Sequence, residues 1–153
     1  MSVMEDILTN IREVINLHPS FKKTVVYFDD AEMNPNTPLP AISFKIGEEE
    51  RTDNSPYCLN YIRHIEIRLH TITLDLRQLQ SELYGFEEDL KVLMERARVD
   101  GIFDSFDIRQ TKATGIGALV YQKNKGAGFE KENLFSNIIR VYFDLSYQIE
   151  MEK

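Results

Sequence analysis

Met4, Ile7, Leu8, Ile11, Val14 and Ile15 recur three and four residues apart, the spacing that lines one face of an α-helix. Ser2 followed three residues later by Glu5 forms a capping box at the start of that run. His18-Pro19 ends it, because proline disfavours α conformation in the residue before it. The pattern predicts a helix over residues 3–17. Thr24 to Phe28 is β-branched and aromatic and predicts a short strand, followed by turn chemistry from Asp29 to Pro38 and a second strand from Pro40 to Ile46. Gly47 to Asn60 is polar, holds the run Glu48-Glu49-Glu50, and reads as a loop.

From Tyr61 to Ile72 the pattern alternates, with Ile65, Ile67 and Leu69 on one side and His64, Glu66, Arg68 and His70 on the other, as in a half-buried strand. Asp75 with Gln78 caps the next segment, in which Leu76, Leu79, Leu83, Phe86, Leu90, Leu93 and Ala97 keep helical spacing throughout. Gly85 within it costs up to about 1 kcal/mol relative to alanine, which leaves room for a start later than Asp75. Ser105 to Thr111 predicts a fourth strand. Lys112 to Glu132 is the least regular stretch, holding Gly115, Gly117, Gly126 and Gly128, with a hairpin turned at Lys123 to Gly126 as one reading. Ile139, Val141, Phe143, Leu145, Tyr147 and Ile149 then alternate with Arg140, Tyr142, Asp144, Ser146, Gln148 and Glu150 in a closing strand.

The element order α-β-β-β-α-β-β predicts a single α+β domain over residues 1–153. Its sheet is mainly antiparallel, both helices pack on one face, and a long insertion at about 112–132 precedes the last strand. That strand, at about 12 residues and roughly 3.3 Å each, would be about 40 Å long. A domain of this size has a radius of gyration near ~15 Å, so such a strand overhangs it and its edge invites pairing with another subunit.

The formal net charge is −7, and residues 1–60 hold ten acids against five bases. Nucleic-acid affinity depends mainly on Lys and Arg releasing phosphate counterions, so this balance argues against direct DNA or RNA binding. Cys58 is the one cysteine, which excludes a disulfide within the chain. No secretion-signal order opens the sequence, and a reducing cytosol is the default compartment. No apolar run approaches the roughly 20 residues needed to cross a bilayer.

Candidate chemistry is sparse. His64 and His70 share a strand face but stand about 20 Å apart, too far to share a metal. His18 reads as a helix-end histidine. No catalytic signature surrounds Cys58, placed in the loop before the Tyr61 strand, and an incidental thiol is the preferred reading. Gly115 to Gly128 lacks both the phosphate-loop and the dinucleotide spacing. Glu48, Glu49 and Glu50 lack the alternating ligands of a calcium loop and read as a solvated acidic loop. The polar face bearing Glu66, Arg68, Arg140 and Asp144 reads as sheet decoration worth under about 1 kcal/mol per pair. The expectation is of no enzyme, no cofactor and no metal. Lys112, Lys123, Lys125 and Lys131 oppose an otherwise acidic chain, so a basic excursion contacting a sibling copy is one reading and a partnerless hairpin is the other.

Several stretches carry a resemblance. They are the opening helix Met4 to Leu17, the short strand Ala41-Ile-Ser-Phe44 before a variable loop, and Tyr61-Ile-Arg-His-Ile-Glu-Ile-Arg-Leu69 leading into the helix from Asp75. Asn137-Ile-Ile-Arg-Val-Tyr-Phe-Asp-Leu-Ser-Tyr147 closes the set. Together they resemble the tail terminator (tail completion) proteins of long-tailed bacteriophages, which are small α+β subunits. The resemblance spans nearly the whole chain and rests on order and periodicity rather than on invariant motifs.

It implies a ring, generally sixfold, that caps the tail tube, stops its polymerisation and presents a docking surface for the head. The implied place is the head-proximal end of the virion tail, with assembly in the host cytoplasm. The implied partners are sibling copies, tail tube protein, neck or connector proteins and a sheath protein, with DNA passing through unbound. On this reading Lys112, Lys123, Lys125, Lys131, Arg140 and Tyr142 are candidate subunit or tube contacts. Asp29, Asp30, Glu32, Glu48, Glu49 and Glu50 form acidic loops facing the channel, where they would repel passing DNA. The alternatives are another neck or head completion subunit, a small oligomeric enzyme, or a ligand-binding module.

Overall fold

The computed structural model describes residues 2–22, 24–29, 32–33, 38–54, 58–125 and 128–150, with 53–54, 115–125 and 128–135 described by their backbone alone. The first helix, α1, spans Val3–Leu17. The Ser2 hydroxyl accepts the Glu5 N–H at 3.1 Å, which caps the helix at the predicted position, and donates to the Glu5 carboxylate at 3.0 Å. His18 ends the helix and serves the 3₁₀ turn Pro19–Phe21, its Nδ1 accepting the Ser20 N–H at 3.1 Å.

Strands β1 (Val25–Tyr27), β2 (Ala41–Asn54) and β3 (Cys58–Thr73) follow, then helix α2 (Leu76–Val99) and strands β4 (Ser105–Lys125) and β5 (Gly128–Glu150). Asp75 caps α2 by accepting the Gln78 N–H at 2.8 Å, so Gly85 does not delay the start. The helix stops at Gly101, whose φ of 79° suits a residue without a Cβ. Gly101 N–H bonds the Arg98 carbonyl and Ile102 N–H the Ala97 carbonyl, both at 3.0 Å, which satisfies two acceptors the last turn leaves open.

The protein is α+β, with two helices and one five-stranded sheet ordered β1-β2-β3-β5-β4. The sheet is mixed, which corrects the antiparallel expectation at one edge: β1 runs parallel to β2, with Val25 opposite Ala41 and Tyr27 opposite Ser43. A parallel neighbour needs a return of about a dozen residues, and 28–40 supplies that length. The other three pairings are antiparallel.

Two segments expected to be irregular are strand. Of Gly47 to Asn60, residues 47–54 end β2 and 58–60 begin β3, with Glu49 facing Arg63, Glu50 facing Ile62, and Cys58 as the first residue of β3, opposite Glu150. Register shifts between Ile46 and Glu49 and between Arg51 and Asp53 erase the alternation that would have revealed it. In Lys112 to Glu132 the hairpin alternative, not the loop, describes residues 112–125 and 128–132. Strands β4 and β5 stay paired out to Lys125 opposite Gly128, making the last strand 23 residues long.

One core joins the elements. Ile7, Ile11 and Ile15 of α1 and Phe86, Leu90, Leu93 and Met94 of α2 pack with Phe44, Ile67, Ile139, Val141, Phe143 and Leu145 of the sheet. Burying side chains of this size stabilises by roughly 1.5–3 kcal/mol each. Helix α2 crosses β3, β5 and β4, whereas α1 lies against α2, the 3₁₀ turn and β1. The helices therefore divide the sheet unequally, with α1 at its β1 margin.

Candidate assembly surface

On the sheet face turned from the core, register sets Lys45, Glu66, Tyr142 and Gln110 abreast, with Ser43, Arg68, Arg140 and Lys112 in the next row. Glu66 is only 6% exposed and Arg68 8%, so these charges are buried on a face that alternation alone marks as solvated. Arg68 Nε donates to Glu66 at 2.6 Å, and the Arg140 guanidinium lies 3.7 Å from the other carboxylate oxygen. Burial, reinforced by its hydrogen bond to Glu66, pushes the Tyr142 phenol upward. Beside them Asp144 holds His64 Nδ1 at 2.5 Å and Arg109 Nε at 2.9 Å, and Glu50 stands 3.7 Å from His64 Nε2.

Lys45, His64, Glu66, Arg68, Arg109, Arg140 and Tyr142 line a shallow cleft of about 280 Å³. Its lining sets one carboxylate, Glu66, against Lys45, Arg68, Arg109 and Arg140, so the cleft is basic, with Arg68 paired to Glu66 and Arg109 to the neighbouring Asp144. A buried pair such as Glu66 with Arg68 fixes geometry more surely than it adds stability, since desolvation offsets most of the attraction. Among the described residues no three His, Cys, Asp or Glu side chains gather as metal ligands. His70 binds the Ser43 hydroxyl at 2.8 Å, whereas His64 binds Asp144 at 2.5 Å.

The six candidate contacts fall into two groups. Lys112, Arg140 and Tyr142 lie close together on the sheet body, Lys112 directly opposite Arg140. Lys123, Lys125 and Lys131 lie far along the β4–β5 hairpin, facing Glu130, Gly128 and Gln122 in register. The acidic candidates divide as well. Asp29 and Glu32 are exposed on one turn, where Glu32 N–H bonds the Asp29 carbonyl at 3.1 Å, and Asp30 lies outside the described residues. Glu48, Glu49 and Glu50 belong to β2 rather than to a loop, and Glu49 accepts from both Arg63 and Tyr147.

The last strand, expected to offer an edge to another subunit, is instead interior over residues 135–146, flanked by β3 and β4, because its apolar alternation fits a central strand. Strand β1 covers β2 only from Ala41 to Ser43, so among the described residues no strand flanks β2 beyond that point. Strand β4 is terminal along its whole length. Because β3 stops at Thr73 opposite Phe135, residues 128–134 of β5 pair with β4 alone, forming a two-stranded arm. Such ribbons are marginal in isolation.

The chain matches no protein-family model and no curated protein. Its functional reading therefore rests on this geometry and on the sequence pattern. No described helix is long and apolar enough to cross a membrane.

Proposed function

We propose that the chain is a structural virion subunit, resembling tail terminator proteins, that closes into a ring on the end of a phage tail tube. There it stops tube growth and offers the surface to which the head docks. The observation that carries this reading is the pair of open, unlike sheet edges, β4 on one side and β2 beyond Ser43 on the other. Long unpaired edges are a liability that proteins cover, and two non-identical patches per subunit are what a head-to-tail ring requires. The carboxylates beside the polar cleft are already engaged, Glu66 by Arg68 and Asp144 by His64 and Arg109, which supports a structural reading of that face. The two-stranded arm supplies further surface for tube, neck or sheath protein. Asp29 and Glu32, exposed and acidic, suit a channel wall that DNA slides past.

Electron microscopy of particles assembled without this protein tests the reading. Tails of uncontrolled length are expected. Tails of normal length lacking only heads would move the subunit to the neck, and intact infectious particles would remove it from the virion altogether.

A further inference from the structure

We infer that sibling copies join edge to edge, β4 of one subunit adding to the free part of β2 in the next, so that main-chain hydrogen bonds run on from one sheet into its neighbour. This rests on the ring reading and specifies its joint.

Three observations lead there. The first is strand direction. The steps β2–β3, β3–β5 and β5–β4 are all antiparallel, so β2 and β4 of one sheet point in opposite directions. Rotation about an axis lying along the strands preserves direction, so the β2 of the next copy meets β4 antiparallel. That is the more stable ladder. Repetition of the same step closes a ring or extends a filament, according to whether the rotation closes.

The second is charge. Strand β4 carries Arg109, Lys112, Lys123 and Lys125 against Asp107, whereas β2 carries Glu48, Glu49, Glu50 and Asp53 against Lys45 and Arg51. Arg109, Lys112, Glu48 and Glu50 are all exposed. A basic edge and an acidic edge on opposite margins of one sheet attract between copies and repel in the two like-with-like arrangements. Charge thus selects the heterologous contact over an isologous dimer. A stagger of several residues, of the kind that closing any sheet demands, brings Lys112 beside the Glu48 to Glu50 stretch.

The third is the distribution of bulges. Both edges are interrupted, β4 between Ile108 and Gln110 and between Gly115 and Gly117, and β2 between Ile46 and Glu49 and between Arg51 and Asp53. Bulges protect an edge from indiscriminate pairing. They leave β4 two regular runs on the sheet body, Ser105 to Ile108 and the longer Gln110 to Gly115, with Lys112 inside the longer one.

The test uses full-length protein, with light scattering for mass and thermal melting for fold. Arg109→Glu with Lys112→Glu makes both edges acidic, and Glu48→Lys with Glu50→Lys makes both basic. Each variant alone is expected to need at least about tenfold more protein to assemble than the unaltered chain. An equimolar mixture should restore assembly, because acidic and basic subunits can alternate. Variants that keep their melting temperature but assemble normally, or mixtures that fail to assemble, overturn the edge joint while leaving the ring reading intact.

Should a charge variant melt early, Lys112→Cys with Glu48→Cys in a Cys58→Ser background decides. Within one chain the two edges are three strand spacings apart, roughly 14 Å, so a bis-maleimide shorter than that span can link only different copies. A ladder of linked species rising beyond the dimer is expected. Linkage that stops at dimers overturns the head-to-tail joint. An unaltered chain that stays monomeric at high concentration, with tube protein present, removes the ring and the joint together.

Discussion

Tyr147 on β5 donates its hydroxyl hydrogen to the carboxylate of Glu49 on β2, reaching across β3, where Arg63 donates to the same oxygen. The Tyr61 ring stacks on that of Tyr147 at 5.8 Å, so three strands are tied together near the β2–β3 hairpin end. Burial first, and the bond to Glu49 second, push the Tyr147 phenol up to about 12.

That shift carries a pH dependence of known sign. The folded chain favours the protonated phenol more than the unfolded chain does. The stabilisation is therefore complete below the ordinary value of 10.0 and is lost as pH rises through about 12. Tyr147→Phe should lower stability by about 1–2 kcal/mol at neutral pH and flatten the alkaline loss between those limits, as read by denaturant titration at several pH values. An unchanged alkaline limb would show that Tyr147 is not the group responsible.

Two glycines should respond to alanine with opposite signs. A Cβ at Gly47 would lie 3.0 Å from the His64 carbonyl oxygen and 3.3 Å from His64 Cβ, so Gly47→Ala should cost about 1–2 kcal/mol by forcing β2 from β3. Gly85 sits inside α2, where a Cβ would meet nothing within 4 Å, and Gly85→Ala should stabilise by about 0.5–1 kcal/mol. Melting temperatures of the two variants check both directions.

Glu66 balances Arg68 and lies near Arg140 on the cleft floor. Removing the carboxylate from a buried pair leaves the cationic cleft floor less compensated, so Glu66→Ala should destabilise, by up to about 3–5 kcal/mol. Replacing Glu66 and Arg68 together by leucine and methionine should cost far less. A double-mutant cycle from chemical denaturation separates the coupling from the loss of either side chain.

The arm pairs only with itself, so excising residues 119–134 and joining the paired Ala118 and Phe135 by an Asn-Gly turn should leave the body folded. The melting temperature is expected to stay within a few degrees, roughly, of the parent. A collapse in stability would mean that the arm belongs to the core of the monomer.

The local devices of this fold are legible in the sequence. The Ser2 cap, the Asp75 cap, the apolar stripe of α2 and the alternation of Tyr61 to Ile72 and of Ile139 to Ile149 each depend on residues a few positions apart. The strand character of Gly47 to Asn54 and of Lys112 to Lys125 is not legible in the same way. Those residues extend because a partner strand lies beside them, and bulges break the alternation that would announce it.

The same division holds for the candidate surface. Composition and spacing by themselves determined two helices, their caps, the apolar half of each regular strand, and an acidic chain with a local excess of lysine, because each of these is set within a turn or two of backbone. Tertiary pairing alone decided that β1 runs parallel, that Glu66 and Arg68 are buried together, and that a basic edge and an acidic edge end up on opposite margins of one sheet. Those outcomes depend on which distant segments become neighbours, and a strand's exposure is a property of its neighbours rather than of its own residues.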